Sequence, residues 1–176
     1  MKVLIVSDIH GSLDSALAIR RIFEEEKCEK IICLGDVLYH GPRNDLPPQY
    51  KPKEVIAILN QYADQIICVQ GNCDAEVDQM VLDFPILPFY DATINDKTCH
   101  FEHGHHLKMD GHVAQMVFFG HTHIPQMEEK NDTIYWNPGS ITLPKNGSKR
   151  SYLIWENHLI TLKDIDGNEL FSFHYE

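Results

Sequence analysis

The stretch Val3-Leu4-Ile5-Val6-Ser7-Asp8-Ile9-His10-Gly11 joins an unbroken aliphatic run to an Asp-x-His that ends in glycine. Four consecutive aliphatic residues suit a strand covered on both faces, and Gly11-Ser12 offers a turn and a helix N-cap. Asp8 and His10 therefore stand at the C-terminal end of a central strand. Two residues apart on an extended chain, they point to one side, where a carboxylate oxygen and an imidazole nitrogen can meet a single cation. An isolated Asp-x-His reads as easily as a surface turn. Recurrence of the same construction downstream changes the reading.

From Ser12 the chain reads as a helix to about Lys27, with Ala16, Ile19, Ile22 and Phe23 near helical spacing. Lys30 to Leu34 is a second aliphatic run and ends in Gly35-Asp36; the β-α-β order predicts a parallel pair. A long proline-rich loop, Val37 to Lys53, carries His40-Gly41-Pro42-Arg43-Asn44, and Pro52 opens a helix through about Tyr62. Gln65 to Val69 is a third run and ends in Gly71-Asn72-Cys73-Asp74, which brings three parallel strand ends to the edge where open α/β sheets bind ligands.

Beyond Leu82 the strands become short and the turns polar. Ala92–Ile94 and Thr98–Phe101 precede His103-Gly104-His105-His106, and Met116–Phe119 precedes Gly120-His121-Thr122-His123. Thr133–Trp136 leads into Asn137-Pro138-Gly139-Ser140, and a terminal hairpin is expected around Asn157. No domain boundary is visible, so residues 1–176 are expected to form one domain.

Composition narrows the function. Twenty-six acids against 15 bases give a net charge of -11, and Lys145, Lys149 and Arg150 are the only local basic cluster, so duplex DNA and structured RNA are not expected as partners. No apolar run approaches the ~20 residues of a membrane span, and Met1-Lys2 enters a strand directly; the expected compartment is the cytoplasm, without membrane association. Five cysteines without C-x-x-C spacing suggest neither a disulfide framework nor a thiolate zinc site. Self-association as a homo-oligomer is expected through apolar side chains of Leu82 to Tyr90 or through the C-terminal strands.

Asp8, His10, Asp36, Asn72, His103, His121 and His123 supply oxygen and imidazole ligands from five strand ends. Any one of these histidines alone reads more simply as a core or surface imidazole; seven ligands in this pattern do not. Two divalent ions are the economical reading, with the Asp36 carboxylate as the bridge.

The order Asp-x-His, Gly-Asp, Gly-Asn, His, Gly-His-x-His resembles the calcineurin-like metallophosphoesterases, through SDIHGS, GDVLYHGPRN, GNCD, HGH, GHTHIP and NPGS over nearly the whole chain. The resemblance implies a four-layer α-β-β-α sandwich with two mixed sheets. It puts Asp8, His10, Asp36 and His123 on one metal and Asp36, Asn72, His103 and His121 on the other, with manganese the first choice and Fe, Zn, Co or Ni as alternatives. It further implies hydrolysis of small phosphodiesters by in-line attack of a metal-bound hydroxide. Alternatives are a phosphomonoesterase or nuclease of the same family, or a non-catalytic protein-binding module of the retromer-subunit type. The commonest family pattern has Gly-Asn-His, whose His protonates the leaving group; here Cys73 stands there, and two adjacent cations would favour its thiolate, which has no proton to give. His40, Arg43 and His105 are candidates for phosphate binding or proton donation.

Overall fold

β1 (Lys2–Val6), β2 (Lys30–Cys33), β3 (Ile66–Val69) and β4 (Ile86–Leu87) run parallel, as the repeated strand-helix order requires. The computed structural model describes residues 1–109 and 112–176. β1 reads as a continuous apolar run because it is covered on both faces. Leu4 and Val6 pack toward the helices, whereas Val3 and Ile5 pack toward a second sheet.

Helix α1 (Leu13–Glu25) begins at Ser12, whose hydroxyl accepts the Ser15 N–H at 3.4 Å, and buries Ala16, Ile19 and Ile22. It stops two residues short of the expected Lys27, which adopts a left-handed φ of 54° and closes the helix. Helix α2 (Pro52–Leu59) is followed by a 3-10 turn, Asn60–Gln65, so regular helix ends before the expected Tyr62.

β5 (Tyr90–Ile94), β6 (Lys97–Phe101), β7 (Met116–Phe118), β8 (Pro125–Lys130) and β9 (Thr133–Pro138) form the second sheet in the order β5-β6-β7-β9-β8. Its three central strands are parallel and its edges antiparallel. β10 (Ser151–Glu156), β11 (Leu159–Asp164) and β12 (Glu169–His174) extend the first sheet, giving β12-β11-β10-β1-β2-β3-β4. The hairpin around Asn157 is present, but β12 follows it, so it is not terminal. The result is the expected sandwich of two mixed sheets. Phe101, Phe118, Trp136, Leu153 and Trp155 fill the space between the sheets. Outside the second sheet, Val117, Phe119 and Tyr135 pack against Leu107 and Met109, and no helix lies there among the described residues.

Leu82 and Phe84, expected as surface for self-association, are buried in the helix-side core. Phe89 is exposed in that segment, as are Leu170 and Phe171 on β12, one of the C-terminal strands also expected to carry such surface. No helix among the described residues is long and apolar enough to cross a membrane.

Parallel order has one consequence for function. The C-terminal ends of β1, β2 and β3 in one sheet face the same edge as those of β6 and β7 in the other, and the segments that leave these ends meet there.

Candidate metal centre

Asp8, His10, Asp36, His121 and His123 all adopt positive φ, between 51° and 64°. A left-handed residue turns the chain sharply as it leaves a strand and costs about 1 kcal/mol or more, which a site that needs the geometry offsets elsewhere. Two glycines permit the close approach. A Cβ on Gly71 would overlap the Asp36 carboxylate, and one on Gly120 would overlap the Ser7 hydroxyl. The Gly in Gly-Asn and in Gly-His-x-His is thus a spatial requirement of the neighbouring loop.

Each of three imidazoles is oriented by a backbone carbonyl. Nδ1 of His10 donates to Tyr39 O at 2.8 Å, that of His103 to Leu34 O at 2.6 Å, and that of His123 to Leu143 O at 2.6 Å. With Nδ1 held by that bond, Nε2 is the nitrogen turned into the site, where a cation would replace its proton, the arrangement seen around metal-binding histidines.

The donor atoms converge in two groups. Asp8 Oδ1 lies 3.5 Å from His10 Nε2 and 3.2 Å from His123 Nε2, and those nitrogens are 3.3 Å apart. Asp36 Oδ2 lies 3.3 Å from His103 Nε2 and 3.7 Å from His10 Nε2; its other oxygen accepts the Cys73 N–H at 2.8 Å. Asn72 Oδ1 is 3.0 Å from His103 Nε2. The His121 ring lies edge-on to His103 with centroids 5.1 Å apart, and the His121 backbone N–H donates to Asp8 Oδ2 at 3.1 Å.

These residues fit divalent cations. Bonds of about 2.1 Å to imidazole or carboxylate give ligand-to-ligand edges of about 3.0 to 3.4 Å, close to the 3.2 to 3.5 Å of the first group. Asp8 Oδ1 is buried and has no hydrogen-bond partner, a costly state for a carboxylate oxygen unless a cation meets it.

The titration properties agree. Burial acts to raise Asp8, but the His10 and His123 imidazoles outweigh it and hold the carboxyl well below its usual range. For His103 burial acts downward, yet Asp36 and Asp8 keep the imidazole up at about 9. Cation entry must displace that proton. We expect divalent-ion affinity to rise with pH up to about 9 and fall below it, with proton release on binding at neutral pH. Calorimetry in buffers of different ionisation enthalpy measures this; heats independent of the buffer would refute it.

Asp74 was not singled out in the sequence. Its buried carboxylate accepts N–H groups from Asp36 at 2.8 Å, Val37 at 2.8 Å and Gly71 at 2.7 Å, tying the loop after β2 to the loop after β3. Burial pushes its pKa up, partly offset by those donors. Ser7, Asn137 and Ser140 were also missed as braces. Ser7 Oγ donates to Asp8 Oδ2 at 2.6 Å, Asn137 Nδ2 to Gly120 O at 2.8 Å, and Ser140 Oγ to Asp8 O at 2.9 Å. Buried polar residues in Asn-Pro-Gly-Ser at a strand end were the available signal.

A cleft of about 400 Å³ lies over Asp36, Asn72, His121 and His123, with Tyr39, Arg43, Cys73 and Lys145 also on its walls. A second depression, of about 460 Å³, meets it at Asn72 and Asp74 and carries His105 and His106. His40 lines neither; its ring is half-buried and edge-on to Tyr39 and Tyr50. For Cys73 the protein's own groups oppose a thiolate. Burial and the Asp36 carboxylate push the thiol up to about 12.

Residues 1–158 match the profile of the calcineurin-like phosphoesterase superfamily domain. The chain is 38% identical to phosphodiesterase YfcE of Escherichia coli K12 over 92% of its own length and 91% of that protein's. With phosphodiesterase MJ0936 of Methanocaldococcus jannaschii it shares 28% identity, over 79% and 83% of the two chains. The solved structure of the E. coli phosphoesterase Yfce superposes with a TM-score of 0.94 at 36% identity, covering 99% of each chain. Vps29 of Entamoeba histolytica, at 17% identity and a TM-score of 0.69 over 100% of each chain, shares the fold. The match across both sheets and the site at their common edge make this chain a member of the calcineurin-like phosphoesterase superfamily.

Proposed function

We propose that the chain is a phosphodiesterase that uses two divalent ions, manganese foremost, to hydrolyse small phosphodiesters. The observation that carries this reading is Asp36 Oδ2, which faces His103 Nε2 at 3.3 Å and His10 Nε2 at 3.7 Å, one imidazole from each donor group. Asp8, His10, Asp36 and His123 would hold one ion and Asp36, Asn72, His103 and His121 the other. Bound there, two divalent ions supply Lewis acidity that activates water and neutralises charge on the non-bridging phosphoryl oxygens. The carboxylate and amide oxygens suit manganese, and Cys73, whose Sγ also lies within 4.8 Å of donor atoms of His10 and Asp36, is kept a thiol by burial and the Asp36 carboxylate.

The remaining residues define what the site does around that chemistry. Tyr39, Leu34 and Leu143 hold the imidazoles through their carbonyls, so little reorganisation accompanies reaction. Asn72 is exposed between the two depressions, which gives a diester, with its two arms, more room than a monoester needs. Arg43 lies on the cleft wall, where it meets an anionic ligand, and His105 faces the second depression. The relatives named phosphodiesterases support the same class.

Metal content and turnover of bis(p-nitrophenyl) phosphate and p-nitrophenyl phosphate, with Mn, Fe, Zn, Co and Ni supplied separately, test the reading. Metal-dependent cleavage of the diester, about tenfold or more above the monoester, is expected. A faster monoester would make the chain a phosphomonoesterase. Absence of turnover with every ion would favour the binding-module alternative.

A further inference from the structure

Two cations stand on the walls of the cleft, Arg43 from the loop after β2 and Lys145 from the loop after β9. Neither forms an ion pair with a carboxylate among the described residues. Both are backed by ordered structure. The Lys145 N–H donates to His123 O at 3.2 Å, and Lys145 O accepts the Ser148 hydroxyl at 2.6 Å. Leu143, two residues earlier, holds the His123 imidazole. The loop that orients a metal ligand therefore also sets the position of Lys145. In the loop after β2, Asn44 Nδ2 donates to His40 O at 2.8 Å and closes the turn that carries Arg43.

A diester phosphate carries a single negative charge. On the phosphodiesterase reading above, two divalent ions offset by Asp8, Asp36 and the attacking hydroxide would leave one positive charge, which the diester already balances. Two further cations are then surplus to the scissile phosphate, in a chain whose net charge is -11. Held without ion-pair partners over the site, these charges are complemented only if another anion is met there.

We propose that Arg43 and Lys145 form a second anion subsite, and that the substrate is a phosphodiester with one arm carrying a further anionic group, a carboxylate or a second phosphate. This inference rests on the phosphodiesterase reading and names its substrate class. The arm that enters this cleft is the charged one. The other arm extends past Asn72 into the depression lined by His105 and His106, which offers imidazole and amide groups and no Lys or Arg.

The test uses three p-nitrophenyl diesters whose other arm is butyl, 3-carboxypropyl or 3-phosphonopropyl. Their leaving group is the same, so differences report the arm. With the manganese-loaded protein, kcat/KM is expected to favour an anionic arm over butyl by about tenfold, mainly through KM, and the preference should shrink in high salt. Lys145→Ala should bring the ratio to within about twofold of one. Lys53→Ala, which removes the same charge from the exposed side of α2, should keep the wild-type ratio. Whichever of the carboxylate and phosphonate arms is preferred more strongly names the source of the anion. In parallel, the unreactive butyl and 3-carboxypropyl methylphosphonates are titrated by calorimetry, where the same ratio of Kd values and the same loss in Lys145→Ala are expected. Equal Kd and kcat/KM for charged and uncharged arms overturn the subsite. So does a Lys145→Ala effect that is the same for every arm, since the lysine would then act on the scissile phosphate. Loss of turnover with the Kd ratio intact would instead overturn the phosphodiesterase reading and leave the subsite standing.

Discussion

Asp36→Asn is expected to lower kcat/KM by more than about a hundredfold while the protein keeps its fold. The native carboxylate divides its work between two oxygens. Oδ1 accepts the Cys73 N–H at 2.8 Å, and Oδ2 faces the imidazoles of His103 and His10. An asparagine has one acceptor oxygen. If that oxygen keeps the Cys73 N–H, the amide NH₂ turns toward the centre, where a cation is repelled; if it turns inward, the Cys73 N–H loses its acceptor. Removing the negative charge also removes the largest influence holding His103 up at about 9, so its imidazole should titrate lower in the variant. Kinetics at matched metal occupancy would check the first effect, and NMR titration of His103 in the metal-free proteins the second. Activity within a few fold of wild type would remove the two-ion assignment.

Asp74→Ala should unsettle the whole centre without touching a ligand. Three backbone N–H groups, those of Asp36, Val37 and Gly71, share its two oxygens. Each buried donor left without an acceptor costs about 1 to 3 kcal/mol, so a destabilisation of at least ~3 kcal/mol is expected. The loops that carry Asp36 and Asn72 would then lose their common anchor, and metal affinity and turnover should each fall by about tenfold or more. Asp74→Asn should recover less than half of the loss, because its NH₂ would oppose the N–H groups that Oδ1 or Oδ2 now accepts. Denaturant midpoints for the three proteins decide it: an alanine variant within about 1 kcal/mol of wild type would show that water or a rearranged loop replaces the carboxylate.

The contrast between these two aspartates shows what the sequence could convey. Asp36 was legible because its aliphatic strand stops at Gly35-Asp36, the same punctuation that marks Asn72 and His121. Asp74 was not, since its partners are backbone N–H groups and no side-chain spacing announces them. Its cue, an acid three residues beyond Gly71 in a loop already holding Asn72, is ambiguous without coordinates. The central strands were read correctly from apolar runs, but the two-residue β4, β8 and β12 were missed. β8 is an edge strand starting at a proline and ending in Glu128, Glu129 and Lys130, all exposed, so its pattern resembles a turn. β12 lies at the other sheet's edge, with Glu169 to Ser172 exposed. His40 looked like a site residue because it sits in a site loop; its ring packs against Tyr39 and Tyr50, and such ring contacts leave no trace in spacing.

The ligands are spread along the chain, with His10 and His123 separated by 113 positions. During synthesis the first half of the protein emerges with Asp8 and Asp36 beside one another and with neither His103 nor His123 to face them. Ser140 and Leu143, which brace Asp8 and His123, emerge later still. A nascent chain halted near residue 100 would hold two carboxylates at the mouth of an uncovered sheet, its inner apolar face awaiting strands not yet made. Ions bound by both groups would therefore be captured only after Leu143 has been made and the second sheet has closed over the first, although β10 to β12 are still to come.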